Sequence, residues 1–110
     1  GQLTKLQVTR VADYVEASLH GPIGLDELAA VAALSRSHFS RAFKATVGEG
    51  PYRFVTRRRI DRARALLARR DGPSVGAIAQ AVGFANTGVF RRAFLQFTGM
   101  TPQQYRKERC

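Results

Sequence analysis

Apolar residues recur along this chain at helical rather than strand spacing. Leu6, Val8, Val11, Val15 and Leu19 approximate one stripe of a first helix, which Gly21 and Pro22 then end. Leu25 to Ala33 reads as a second, with Asp26 and Glu27 in its first turn, where negative charge complements the helix dipole. Ser35 can cap a third helix reaching about Val47, with Phe39 and Phe43 one turn apart on its inner face and Gly48 as its stop. Pro51 suits the first position of a fourth, expected to run to about Arg70, with Tyr52, Val55, Ile60, Ala63, Leu66 and Leu67 supplying its apolar contacts. Asp71-Gly72-Pro73 breaks the chain, and Ser74 caps a fifth helix ending at Gly83. Asn86 can cap a sixth, with Phe90, Ala93, Phe94 and Phe97 facing inward and Gly99 closing it. Thr101 and Pro102 open a short seventh around Tyr105. No stretch alternates with period two, so the predicted fold class is all-α.

The two halves of this pattern repeat. Leu28 matches Ile78, Ala29 matches Ala79 and Leu34 matches Phe84, each 50 residues apart. Beyond that point the offset is 51: Phe39 matches Phe90, Arg41 matches Arg92, Phe43 matches Phe94, Gly48 matches Gly99 and Pro51 matches Pro102. One residue has therefore been added in the turn between the two helices of the second copy. A short Ala-rich helix, a turn, and a longer helix with two inward phenylalanines and outward polar side chains describe a helix-turn-helix built twice. The organisation expected is a first helix-turn-helix subdomain over residues 1–50, a linker helix over 51–70 and a second subdomain over 71–110.

Charge turns this architecture toward a partner. The 110 residues carry a net charge of +10, with 18 Lys and Arg against eight Asp and Glu. Residues 1–35 hold Lys5 and Arg10 against Asp13, Glu16, Asp26 and Glu27, a net −2, so residues 36–110 carry +12. That clustering points to a polyanion. No apolar run approaches the ~18 to 20 residues a membrane-spanning helix needs, so no membrane partner is expected. The single cysteine, Cys110, excludes an intramolecular disulfide and is compatible with a cytoplasmic setting. Metal-ligand clusters and glycine-rich phosphate loops are absent, and His20 and His38 lack catalytic companions. Neither an enzyme nor a cofactor or metal site is expected.

Several segments, in order, resemble the AraC/XylS family of transcription regulators: Leu25-Asp26-Glu27-Leu28-Ala29, Ser35 to Lys44, Arg59 to Leu67, Ile78-Ala79 with Val82-Gly83-Phe84, Phe90 to Phe94, and Gly99 to Arg106. The resemblance implies a seven-helix double helix-turn-helix, two homeodomain-like subdomains joined by a long linker helix, with the third and sixth helices reading bacterial double-stranded DNA. It also implies RNA polymerase as a further partner, and an effector or dimerisation domain that this chain, which begins at Gly1 rather than Met, is expected to lack. The chain departs from the family pattern in three places. Gly50 replaces the usual Ser or Thr before proline, Ala85-Asn86-Thr87-Gly88 replaces a bulkier polar sequence, and Val89 is apolar on a reading helix.

The major groove admits a helix, and in a helix-turn-helix the second helix enters by its N-terminal end. In the first copy the outward residues near that end are Arg36, Ser37, His38, Ser40, Arg41 and Lys44. Ser37, Ser40 and Arg41 share one stripe, and the planar fork of Arg41 can pair with guanine O6 and N7. Arg36, His38 and Lys44 are assigned to phosphates. In the second copy Arg92 is the equivalent of Arg41, Thr87 and Arg91 lie near the same end, and Asn86 is either a cap or a phosphate ligand. Eight arginines between residues 51 and 70 cannot all face one groove; some are expected to pair with Asp26, Glu27 or Asp61. A helix of that span would be about 30 Å long, near the ~34 Å of one DNA turn. The rival readings are a sequence-indifferent architectural DNA binder and a helical protein-interaction module.

Overall fold

The computed structural model describes residues 1–109, and among them it contains seven helices and no strand. Cys110, the residue behind the disulfide argument, lies outside the described residues. Helix α1 (Lys5–Ser18) starts at a capping box: the Thr4 hydroxyl accepts from the Gln7 amide at 3.1 Å, and the Gln7 side-chain oxygen accepts from the Thr4 amide at 2.8 Å. Two amides that a helix start leaves without intrahelical partners are thereby satisfied. Val11, Val15 and Leu19 are fully buried, but Leu6 is 57% exposed. The buried stripe continues backward through half-buried Val8, and Leu6 falls off it.

Helices α2 (Leu25–Val31) and α3 (Arg36–Val47) form the first helix-turn-helix, and α5 (Val75–Ala81) and α6 (Thr87–Thr98) the second. Four residues separate α2 from α3 and five separate α5 from α6, so the added residue sits where the change of offset places it. Both turns close identically. The Ala33 amide donates to Ala30 O and the Leu34 amide to Ala29 O, at 3.0 and 2.9 Å; the Gly83 amide donates to Gln80 O and the Phe84 amide to Ala79 O, at 3.1 and 3.0 Å. This pair of bonds requires a left-handed residue just past the helix. Gly83 takes it at φ 89°, whereas the first copy places Ala33 there at φ 59°.

Helix α4 (Pro51–Leu67) has 17 residues and is about 25 Å long, shorter than the span to Arg70. Two of its last carbonyls find their donor outside the helix. Arg106 of α7 (Pro102–Arg109) donates from Nε to Leu67 O at 3.2 Å and from Nη2 to Leu66 O at 3.4 Å. The chain then folds tightly back, so that a Cβ on Gly72 would lie 3.0 Å from both Arg69 O and Leu66 O. Tyr52, expected inside, is 85% exposed. Phe54 packs in its place, edge-on to Phe43 at 5.2 Å.

The contacts divide the chain into two compact units, Gly1–Val55 and a second beginning at Thr56, each with its own core. Phe39, Phe43 and Val55 close the first core over α1 and α2. Ile60, Ala63 and Leu67 of α4 pack with Ile78, Ala79, Val82, Phe90 and Phe94 in the second. The aromatic trios correspond: Phe39, Phe43 and Phe54 have centroids 5.4 and 5.2 Å apart, and Phe90, Phe94 and Tyr105 have them 5.7 and 5.4 Å apart.

Candidate nucleic-acid interface

Ser35 begins α3 by accepting from the His38 amide at 3.3 Å, and Gly48, in the left-handed region, ends it with a bond to Lys44 O. Phe39, Ala42 and Phe43 are buried on one side. Their burial fixes which face looks out. Arg36, Ser37, His38, Arg41 and Lys44 are exposed and Ser40 is half-buried, so all six residues assigned to this helix lie on its accessible surface. Ser37 and Ser40, with Arg36 and Leu25, line a shallow open groove at the mouth of the helix.

Arg36 is not idle: its Nε lies 3.1 Å from Asp26 Oδ1, with the two side chains 67% and 79% exposed. A pair so open to water contributes at most about 1 kcal/mol, little enough for a phosphate to displace the carboxylate. Beside it, the Tyr14 hydroxyl donates to Glu27 Oε2, and the Gly24 amide donates to Glu27 Oε1 at 2.8 Å. The Tyr14 hydrogen bond first, and the Gly24 amide second, hold the Glu27 carboxyl below its ordinary range. The same bond raises the Tyr14 hydroxyl above its own. Asp26 and Glu27 thus have partners in α3 and α1 that the sequence did not suggest.

The second unit repeats this geometry with different side chains. Asn86 Oδ1 accepts from the Val89 amide at 2.9 Å, so Asn86 serves as the cap of α6, and its side chain remains exposed. Phe90 and Phe94 are fully buried. Arg91 and Arg92 are exposed, while Thr87 and Val89 are half-buried. At the equivalents of Ser37 and Lys44 stand exposed Gly88 and Leu95, the latter 48% exposed. The tip of α6 is basic but poorer in hydrogen-bonding side chains than that of α3.

Six of the eight arginines between residues 51 and 70 lie on α4; Arg69 and Arg70 follow its end. Arg53 pairs with Glu49 at 3.4 Å, Arg64 with Asp61 at 3.7 Å, and the Arg57 guanidinium sits 5.3 Å from the Phe97 ring centre. Arg59 is buried, 8% exposed, and donates from Nη1 to Val82 O at 2.7 Å. Gln7 makes the corresponding bond in the first unit, from Nε2 to Ala32 O at 2.9 Å. Neither bond follows from the spacing of apolar and polar residues. Thr4 followed three residues later by Gln7 is a capping-box signature that could have marked the start of α1, but nothing distinguishes Arg59 among its neighbours in the sequence.

Among the described residues no group of three or more His, Cys, Asp or Glu gathers as a metal site, and no helix is long and apolar enough to cross a membrane. A family model described as a helix-turn-helix domain matches residues 28–108. A probable transcriptional regulator, LumQ of Photobacterium leiognathi, is 35% identical over 104 residues, 94% of this chain and 42% of its own length. The chain thus spans less than half of that relative. Two solved structures share the fold closely. An AraC-type DNA-binding-domain regulator from Chromobacterium violaceum has a TM-score of 0.88 and 27% identity, with 96% of this chain and 94% of that one covered. The DNA-binding domain of the global transcriptional factor AdpA, solved with a target DNA, has a TM-score of 0.84 and 30% identity, over 96% and 93% of the two chains.

Proposed function

The chain belongs to the AraC-type helix-turn-helix family and is a DNA-binding domain of a transcription regulator; on that premise we propose that it reads a specific duplex by inserting α3 and α6 into successive major grooves. One observation carries this reading. In each unit two phenylalanines bury one side of the longer helix and leave a basic, polar N-terminal end exposed on the other. Such a helix can enter a groove without disturbing its own core.

In this reading Arg41 pairs with a guanine edge, Ser37 and Ser40 contact neighbouring bases, and Arg36, His38 and Lys44 bind phosphates. In α6, Arg92 reads, Arg91 and Thr87 support it, and Asn86 offers its free amide to the backbone while its oxygen caps the helix. The regulator as a whole works in the cytoplasm, contacts RNA polymerase, and carries an effector or dimerisation domain outside this chain; the fraction of LumQ that this chain spans supports the last point. The family is one of transcription regulators rather than an enzyme class.

Selection from a random duplex library, followed by mobility shift with competitor DNA, tests the proposal. A consensus with two separated half-sites is expected. Affinity should fall with salt by about 0.9 log unit per log unit for each phosphate neutralised. Binding with no sequence preference would indicate an architectural role, and no complex at low salt a protein-interaction module; either result overturns the reading.

A further inference from the structure

A helix leaves its last carbonyls without intrahelical partners, and in a helix-turn-helix those carbonyls sit at the joint that sets how the second helix projects. Ala32 and Val82 are the residues capping α2 and α5, both are buried, and they are 50 residues apart in the repeat. Each carbonyl receives a side-chain donor from a helix outside its own helix-turn-helix: Gln7 of α1 at 2.9 Å, Arg59 of α4 at 2.7 Å. The two donors are unrelated in chemistry and far apart in sequence, yet they meet equivalent acceptors.

We propose that Gln7 and Arg59 are positioning residues, each fixing the joint of its own helix-turn-helix and thereby the aim of its own reading helix. The inference rests on the DNA-reading function proposed above and assigns control of each half-site to a residue that does not itself touch DNA. An unsatisfied buried carbonyl costs free energy, so removing the donor releases the joint to move toward water. The consequence is local, because each bond lies wholly inside one unit.

Gln7→Glu is the discriminating variant. Its carboxylate can still accept from the Thr4 amide and keep the cap of α1, but it has no donor for Ala32 O. Thr9→Glu, at an exposed position of the same helix, controls for the added negative charge. In the second unit, Arg59→Lys keeps a cation and a donor on a shorter reach, and Arg59→Met removes both. Each variant is checked for helix content by circular dichroism and then footprinted on the duplex selected by the parent chain.

Gln7→Glu should lose protection in one half of the footprint by about tenfold in affinity, and Arg59→Met in the other half by at least as much. Arg59→Lys should recover part of the loss in that same half, and Thr9→Glu should leave the balance of the halves unchanged. If Arg59→Met does not fold, Gln7→Glu and Arg59→Lys still place their effects. Losses shared equally by both halves, falling in the same half, or absent from folded variants overturn the proposal. Failure of the parent chain to protect any duplex would instead strike the DNA-reading function beneath it.

Discussion

In the first unit the aromatic trio is Phe39, Phe43 and Phe54, and in the second it is Phe90, Phe94 and Tyr105, with nearly equal spacings. Around these matched cores Arg41 and Arg92, Gly48 and Gly99, and Pro51 and Pro102 are also shared, but much of the rest has changed. The left-handed turn residue is alanine in one and glycine in the other, the joint carbonyl is held by an amide in one and a guanidinium in the other, and Ser37 and Lys44 face Gly88 and Leu95 across the repeat. The invariant part is what a close-packed core demands of shape; the tips vary where water or a partner tolerates substitution, and at the buried joint the acceptor is kept while its donor changes. The two units are thus one scaffold with two separately adjustable tips.

The largest effects should test the shared core. Phe43→Ala and Phe94→Ala each empty a fully buried aromatic site and should cost about 3–5 kcal/mol, read from urea unfolding. Similar costs are expected, since both rings meet two aromatic neighbours. A cost below 1 kcal/mol in either would show that the repeat in sequence is not a repeat in packing.

Next come the tips. Arg41→Ala should lose about 1–3 kcal/mol of affinity for the selected duplex and relax preference at one base position, without an equal loss on unrelated DNA. Arg92→Ala should act likewise on the other half-site. Because α6 offers Gly88 and Leu95 where α3 offers Ser37 and Lys44, the half-site lost with Arg92 should show the weaker consensus. Uniform weakening on all sequences would reduce both arginines to phosphate contacts.

Much of this was legible in the chain. Caps and stops fixed most helix boundaries because Ser35, Ser74, Asn86, Gly48 and Gly99 act through local backbone geometry, and the change in offset located the extra turn residue. Long-range partners were not legible. Apolar spacing puts Tyr52 and Leu6 inside because it names a face without saying which neighbours cover it, whereas the 51-residue offset that pairs Phe43 with Phe94 also pairs Phe54 with Tyr105. Arg59 could not be distinguished because its acceptor is a backbone carbonyl 23 residues away. The end of α4 at Leu67 is likewise hidden: Arg69 and Arg70 favour helix, and the Arg106 side chain that satisfies the Leu66 and Leu67 carbonyls lies 39 residues beyond Leu67.

The turn residues offer a sharper contrast. Ala33 at φ 59° bears a left-handed penalty of roughly 1–2 kcal/mol that glycine avoids, partly offset by the greater freedom glycine has when unfolded. Ala33→Gly should therefore stabilise the first unit by about 0.5–1 kcal/mol, and Gly83→Ala should destabilise the second by a comparable amount. Calorimetric unfolding of both variants checks the signs. A loss from Ala33→Gly would mean that its methyl group does more than the backbone conformation implies.

Acid should also separate the units. At the place of Glu27 the second copy has Ala77, so the clasp to Tyr14 exists only in the first. Since folding lowers the Glu27 pKa, its contribution is fully present above the ordinary glutamate value and is lost as pH falls through the folded one. The raised Tyr14 pKa has the opposite sense, with its contribution lost as pH rises through the folded value. Tyr14→Phe should be less stable than the parent at neutral pH, and the gap should narrow in acid. No gap at any pH would show that the ring alone matters, and a gap independent of pH would show that the hydroxyl acts through a group other than the Glu27 carboxylate.

The smallest expected effect concerns the helix that follows each reading helix. The Gly50 carbonyl accepts from the Phe54 amide and the Thr101 carbonyl from the Tyr105 amide, both at 3.0 Å, so the two residues are equivalent caps. Thr101 adds a reciprocal box with Gln104, at 3.1 and 2.8 Å, that Gly50 cannot make. A Cβ at Gly50 would meet nothing within 4 Å. Gly50→Ser should thus gain a few tenths of a kcal/mol by presenting an acceptor to the Arg53 amide, and Thr101→Gly should lose a similar amount. The loss stays small because glycine keeps half of such a box, as the Gly24 amide does with Glu27. Urea midpoints measured in parallel can resolve the pair, and a destabilising Gly50→Ser would break the equivalence of the two helix starts.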